Sequence, residues 1–196
     1  MNKQERINSV KLSQTSKMPC LSYNLKAVDC CVVNCDYCYA KTGRYLFSNV
    51  VNTQLWRDND WKQESWASRM VTALSGEQYF RWFDSGDLYC QDLINKVYQV
   101  CLETPQVRHW IATKAYMKPL LDLSRLESLD NLALRYSGMA IDKPDQLTGK
   151  VRALILTEPN GDYGHICKAT TTDIHKCLDC RACWDKSQDT IEYKLH

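Results

Sequence analysis

The stretch "EQYFRWFDSGDLYCQDLINKVYQVCLETPQVRHWIATKA", residues 77–115, decides the fold class. Its opening places Phe80 and Trp82 at strand period and closes on Asp84, Ser85, Gly86 and Asp87, a strand running into a tight turn. In "QDLINKVYQVCLETP", Leu93, Ile94, Val97, Tyr98 and Cys101 fall on one helical face, and Pro105 stands just past the end. "VRHWIATKA" is a further strand. Strand, helix and strand in succession call for parallel strands joined by a helical crossover.

The same alternation extends outward. Upstream, "CLSYNLKAV" carries Leu21, Tyr23 and Leu25 at strand period. "DNDWKQESWASRMVTALS" follows as a helix with Trp61, Trp66, Met70, Val71 and Leu74 at three- and four-residue intervals and Asp58 or Asp60 as its N-cap. Downstream come a helical segment broken or started by Pro119, a strand in "NLALRYSGM", a linker in "DKPDQLTGK" (142–150) and a strand in "KVRALILTEP". The expectation is an α/β fold with a mostly parallel sheet over residues 1–158. Residues 159–196 are poor in aliphatics and hold four cysteines, so this tail needs a metal to fold.

A chain of 196 residues with 44% apolar content can bury one full core. A net charge of +2 and a pI near 8.0 do not advertise a nucleic-acid binder, which usually carries a basic stripe. The N-terminal residues form no signal peptide and no segment reaches the length of a membrane span, so a cytoplasmic setting and no membrane partner are expected. In that reducing compartment 11 cysteines point to metal ligation rather than disulfides.

Four of them crowd into "CCVVNCDYCYA", residues 30–40. Cys31, Cys35 and Cys38 form C-x3-C-x2-C with Tyr37 before the last cysteine. Three thiolates on a tight loop can hold three corners of a [4Fe-4S] cluster and leave the fourth iron open. Cys30, Cys35 and Cys38 form an alternative C-x4-C-x2-C, and a zinc site on the C-x2-C half stays open as well. Cys167, Cys177, Cys180 and Cys183 make a second group whose four thiolates would close every position on a cluster or a zinc ion, which suits a structural or electron-relay centre. His165 and His175 lie nearby in sequence. Cys101 reads as core, whereas Cys20 and Cys90 are ambiguous.

The spacing of Cys31, Cys35 and Cys38 with Tyr37 resembles the signature of radical S-adenosylmethionine (SAM) enzymes. The resemblance implies a partial (β/α) barrel with a small cysteine-rich C-terminal metal-binding tail, with SAM bound to the open iron. It also implies reductive SAM cleavage to a 5'-deoxyadenosyl radical. "SGDL" (85–88) is similar to the family's turn that touches SAM, which makes Gly86 and Tyr37 cofactor-contacting candidates. Asp84 and Asp87 are the candidate catalytic pair, because the strand before them would place both on the cluster side. Arg81, Arg108, Lys114 and Arg135 are further strand-end charges that could line a pocket.

Across most of its length the chain resembles the phage "gene product 88"-like family, through "KLSQTSKMP", "CDYCYAKTGRY", "DWKQESWASRMVTAL", "YFRWFDSGDLY", "RHWIATKAY" and "CLDCRACWDKS". This implies a phage protein acting in the host cytoplasm on an unknown substrate. The alternative is a non-catalytic iron-sulfur or zinc protein that binds a host protein or DNA, with aromatics interleaved among basic residues in "KTGRYLF" available to stack on bases.

Overall fold

The computed structural model describes residues 2–144 and 152–195. A short helix α1 (Lys3–Ser9) leads into β1 (Ser13–Gln14) and β2 (Leu21–Tyr23), and the cysteine loop then runs into α2 (Ser48–Asp60) and α3 (Trp66–Leu74). From there the chain alternates through β3 (Tyr79–Trp82), α4 (Gln91–Glu103), β4 (Arg108–Thr113), α5 (Ser124–Glu127) and β5 (Leu132–Ser137). It finishes with β6 (Arg152–Leu156), β7 (His165–Ile166), α6 (Lys168–Thr171) and β8 (Thr190–Lys194). The eight strands form one open sheet in the order β1-β2-β3-β4-β5-β6-β8-β7, in which every pairing except β1 with β2 is parallel. The expected mostly parallel α/β sheet is met.

Alternation along β3 and β4 sorts side chains onto two faces. Phe80, Trp82, His109 and Ile111 are fully buried on the helix side. There α3 contributes Trp66, Met70 and Leu74, and α4 contributes Leu93, Ile94, Val97, Val100 and Cys101. Tyr23 sits edge-on to Trp66 at 5.4 Å and Phe80 edge-on to Trp82 at 4.8 Å, each buried aromatic contributing roughly 1.5–3 kcal/mol by burial. The opposite face carries Tyr79, Arg81, Trp110 and Ala112. It is covered by the tail, where Trp184 lies 5.4 Å from both Tyr79 and Trp110 and donates its indole N–H to Phe80 O at 2.9 Å.

Arg135, fully buried on β5, fastens that tail. Its guanidinium donates to the carbonyls of Cys183 at 3.0 Å, Gln188 at 2.8 Å, Ala182 at 2.9 Å and Asp185 at 2.7 Å. Residues 159–195 also supply β7 and β8, and β8 pairs with β6 from Arg152↔Thr190 to Leu156↔Lys194. The tail strands escape sequence reading because Glu192 interrupts the apolar run. It is nevertheless fully buried, its carboxylate accepting four backbone N–H groups between Asn160 and Gly164.

Two helices differ from expectation. The single helix anticipated over 58–75 is interrupted at residues 61–65, which separate the end of α2 from α3. Asp58 and Asp60 close α2 rather than cap α3, Asp60 taking an ion pair from Arg69 at 2.6 Å. α2 lacks an apolar stripe because it buries Gln54 and Arg57, and Arg57 docks it by donating to Lys11 O at 2.9 Å and Asn24 O at 3.2 Å. The segment around Pro119 forms a 3-10 turn at Ala115–Met117 and the short α5. Most of the anticipated linker, residues 145–150, lies outside the described residues. Among the described residues no helix is long and apolar enough to cross a membrane.

Candidate metal centres and a shared cavity

Parallel strands direct their C-terminal loops to one edge of the sheet. Here those loops and the tail line a half-open cavity of about 580 Å³, a size suited to a drug-sized ligand. Cys31, Cys35 and Cys38 line it, and so do Cys167, Cys177 and Cys183. The two cysteine groups, far apart in sequence, thus open into the same chamber.

The first group is set by a tight loop after β2. Cys38 N donates to Cys35 O at 3.2 Å, closing the C-x2-C turn, and Asn34 holds a left-handed backbone at φ 55° that Lys41 pins by donating to its carbonyl at 2.9 Å. Cys30 turns the other way. It is 3% exposed in the helix-side core, its thiol donates to Asp58 Oδ1 at 3.4 Å, and burial together with the Asp58 carboxylate pushes its pKa up to about 12. Burial also raises the Cys31 thiol, which lines the cavity. Spacing left Cys30 and Cys31 equivalent; packing puts only Cys31 on the chamber.

Lys114, the first residue after β4, reaches into this loop. Its ammonium lies 3.1 Å from Cys35 Sγ and 2.5 Å from the hydroxyl of Tyr37, with the Tyr37 ring centroid 4.8 Å away. Tyr37 donates onward to Met139 O at 2.9 Å, tying the cysteine loop to the end of β5.

The turn after β3 holds the acidic pair. Asp84 faces Arg81 at 2.7 Å, Arg44 at 3.4 Å and the Tyr45 hydroxyl at 2.8 Å. Asp87 accepts from Thr113 Oγ1 at 2.6 Å and from the N–H groups of Leu88 and Lys114 at 2.7 and 2.8 Å, which cross-links the β3 turn to the end of β4. Burial lifts its carboxyl to about 6, against the downward pull of those donors. Gly86 is required between them: its φ is +77°, and a Cβ there would meet Leu25 Cβ at 2.7 Å.

In the tail, Cys167, Cys177, Cys180 and Cys183 together line one small pocket with His165. Cys167 begins α6, Cys177 N donates to Lys17 O at 2.9 Å, Cys183 Sγ lies 3.1 Å from the Tyr193 hydroxyl, and Cys180 Sγ lies 3.4 Å from His165 Nε2. His175 is exposed and lines neither space. Among the described residues no three His, Cys, Asp or Glu side chains converge on a single ion.

The remaining sequence candidates separate cleanly. Cys101 is fully buried core; Cys90 precedes α4 and packs on the same core; Cys20 is buried beneath the tail, its thiol pushed up to about 12 by burial. Arg108 is exposed at the start of β4, away from the C-terminal loops, and Arg135 serves the tail. Sequence reading did not single out Arg44, Tyr39, Tyr193 and Lys194 as cavity residues. Arg44 and Tyr39 sit beside the cysteine motif, whereas Tyr193 and Lys194 enter only through the β6–β8 pairing.

The family model described as Gene product 88 matches residues 1–186 of the 196. The chain belongs to this family. Membership supports a bacteriophage origin for this chain. No curated protein and no solved structure matches it.

Proposed function

We propose that this phage protein is an iron-sulfur protein of minimal radical SAM type, working in the host cytoplasm. It would hold a [4Fe-4S] cluster on Cys31, Cys35 and Cys38 and a second centre on Cys167, Cys177, Cys180 and Cys183. The supporting observation is the single cavity of about 580 Å³ onto which both cysteine groups open at the C-terminal edge of a parallel sheet. The sequential order of β2 to β6 followed by β8 suits a partial (β/α) barrel, and three protein thiolates leave room for an outside ligand. When bound, such a cluster and SAM supply one-electron cleavage of a carbon-sulfur bond.

The chain's own residues position and shield. Tyr37 and Lys114 fix the Cys35 side of the loop, Gly86 lets the β3 turn approach Leu25, and Asp84, held by two guanidiniums and Tyr45, presents a fixed carboxylate to a cationic group of the cofactor. Asp87 locks the turn that carries Gly86. The test is to purify the protein anaerobically, measure iron, sulfide and zinc per chain, and record the EPR spectrum of the reduced form with and without SAM. A cluster signal that SAM shifts supports the reading. Zinc without sulfide, or a signal indifferent to SAM, sinks it.

A further inference from the structure

The charged groups on the wall of the cavity answer one another. Arg81 and Arg44 pair with Asp84 at 2.7 and 3.4 Å, Lys114 lies on Cys35 and Tyr37, and Lys194 pairs with Glu158 at 3.3 Å. Asp87 is closed by Thr113 and two backbone N–H groups, and Lys17 is exposed to solvent. The phenols are engaged as well. Tyr45 donates to Asp84 Oδ2, Tyr39 to the Asp84 carbonyl and Tyr37 to Met139 O, while the Tyr193 hydroxyl lies 3.1 Å from Cys183 Sγ. A charged ligand would have to break one of these pairs, and a group stripped of its partner inside a protein is costly.

What the wall leaves open is apolar carbon. Ala112 on β4 and Ile155 on β6 line the cavity and are only half-buried, although both belong to interior strands of the sheet. Interior strands of a parallel sheet are ordinarily covered on both faces. Bare carbon on two of them marks where the covering tail gives way to the cavity. The side chains beside them are short: Ser137 on β5 pairs in register with Ala153 on β6, and both line the same space. This floor stays low and admits a flat group. From the cysteine loop comes the Tyr39 ring, which lines the cavity and is 42% exposed. Its hydroxyl bond to Asp84 and its edge-on contact with Tyr45 at 5.6 Å hold it in place. A ring fixed in this way gains from a second ring beyond the area buried.

We propose that the cavity binds an uncharged aromatic ring of the substrate, received by the floor at Ala112 and Ile155 and by the Tyr39 ring. The proposal names the substrate class of the same cavity, so it rests on the proposed function for the chemistry done there. The binding itself needs only the bare floor and the fixed ring.

The test is equilibrium dialysis of the anaerobically purified chain against 2-naphthylmethanol, its fully saturated analogue and 2-naphthoate, which separate ring, apolar bulk and charge. Saturable one-to-one retention of 2-naphthylmethanol is expected, with the saturated analogue held about fivefold more weakly, the range of an aromatic pair. Naphthoate is expected to bind about tenfold more weakly or not at all, because its charge finds the wall already paired. Ala112→Leu raises the floor by an isobutyl group and is expected to weaken retention of 2-naphthylmethanol about tenfold. Ile155→Asn, which puts an amide on the floor, serves as the second variant should circular dichroism show Ala112→Leu unfolded. Absence of saturable retention, naphthoate or the saturated analogue held as tightly as the alcohol, retention unchanged in a folded variant, or complete displacement by SAM overturns the proposal. Iron measured in the same samples separates the two readings: naphthylmethanol not retained with iron present refutes the ring site alone, and iron absent with retention intact refutes the cluster alone.

Discussion

The ammonium of Lys114 lies 3.1 Å from the sulfur of Cys35, across a separation of 79 residues in sequence. A cation beside a thiolate ligand favours the more negative, reduced state of a cluster. If Cys31, Cys35 and Cys38 hold the proposed cluster, Lys114→Met is expected to lower its midpoint potential by roughly 60 mV, a tenfold change for one electron. An EPR-monitored redox titration reads the shift, and an unchanged potential would make Lys114 a structural tie of Tyr37 only.

Cys30 and Cys31 are neighbours with opposite fates. Under the proposed ligand set, Cys31→Ser is expected to abolish iron binding by the N-terminal loop, whereas Cys30→Ser keeps it and loses only the thiol contact to Asp58. Iron per chain in the two variants decides, and the reverse result would move the ligand set to the C-x4-C-x2-C spacing.

Two buried titrating groups oppose each other in acid. Asp87 has a folded pKa raised from 3.8 to about 6, so the native state binds the extra proton, and its stabilising share is present in acid and lost as pH rises from about 4 through 6. His109 accepts from Trp82 through Nδ1 and meets Thr104 Oγ1 at 2.9 Å, and burial lowers its pKa from 6.5 to about 3. Its contribution is present above 6.5 and is lost as pH falls, at about 1.4 kcal/mol per unit. Urea unfolding at pH 4.5 and 7.5 should show Asp87→Asn removing the first trend and His109→Gln the second. Identical pH slopes in wild type and variant would refute the assignment for that residue.

Gly86→Ala forces a Cβ into a left-handed turn and onto Leu25. The expected cost is about 1–3 kcal/mol, read as a lower urea midpoint. A variant as stable as the parent would show that the β3 turn can move away from Leu25.

Arg135→Met strands four backbone carbonyls of the tail. The expected loss is about 3 kcal/mol or more, with hydrogen exchange accelerating over 182–194 and unchanged in α4. Uniform acceleration through the whole chain would mean that the tail and the sheet open together.

The legible part of this fold lies where apolar periodicity is strong. α4 shows an unbroken apolar face from Leu93 to Cys101, and β3, β4 and β5 carry their core residues in short apolar runs, so the parallel sheet follows from local pattern alone. α2 was not legible because its inward face is Gln54 and Arg57, whose value depends on carbonyls of Lys11 and Asn24 that only folding brings near. β8 was hidden for the same kind of reason, its buried Glu192 being satisfied by a loop some thirty residues upstream.

The sequence by itself determined two groups of closely spaced cysteines and an acidic turn containing a glycine after a strand. Tertiary structure alone decided that Cys31 and not Cys30 faces the chamber, that the tail lies over the sheet, and that both cysteine groups share one cavity with Trp110 and Arg81 on its wall. The physical reason is that ligand identity is a property of single residues and close spacing. Burial and the lining of a cavity are properties of surfaces that meet only when distant segments pack.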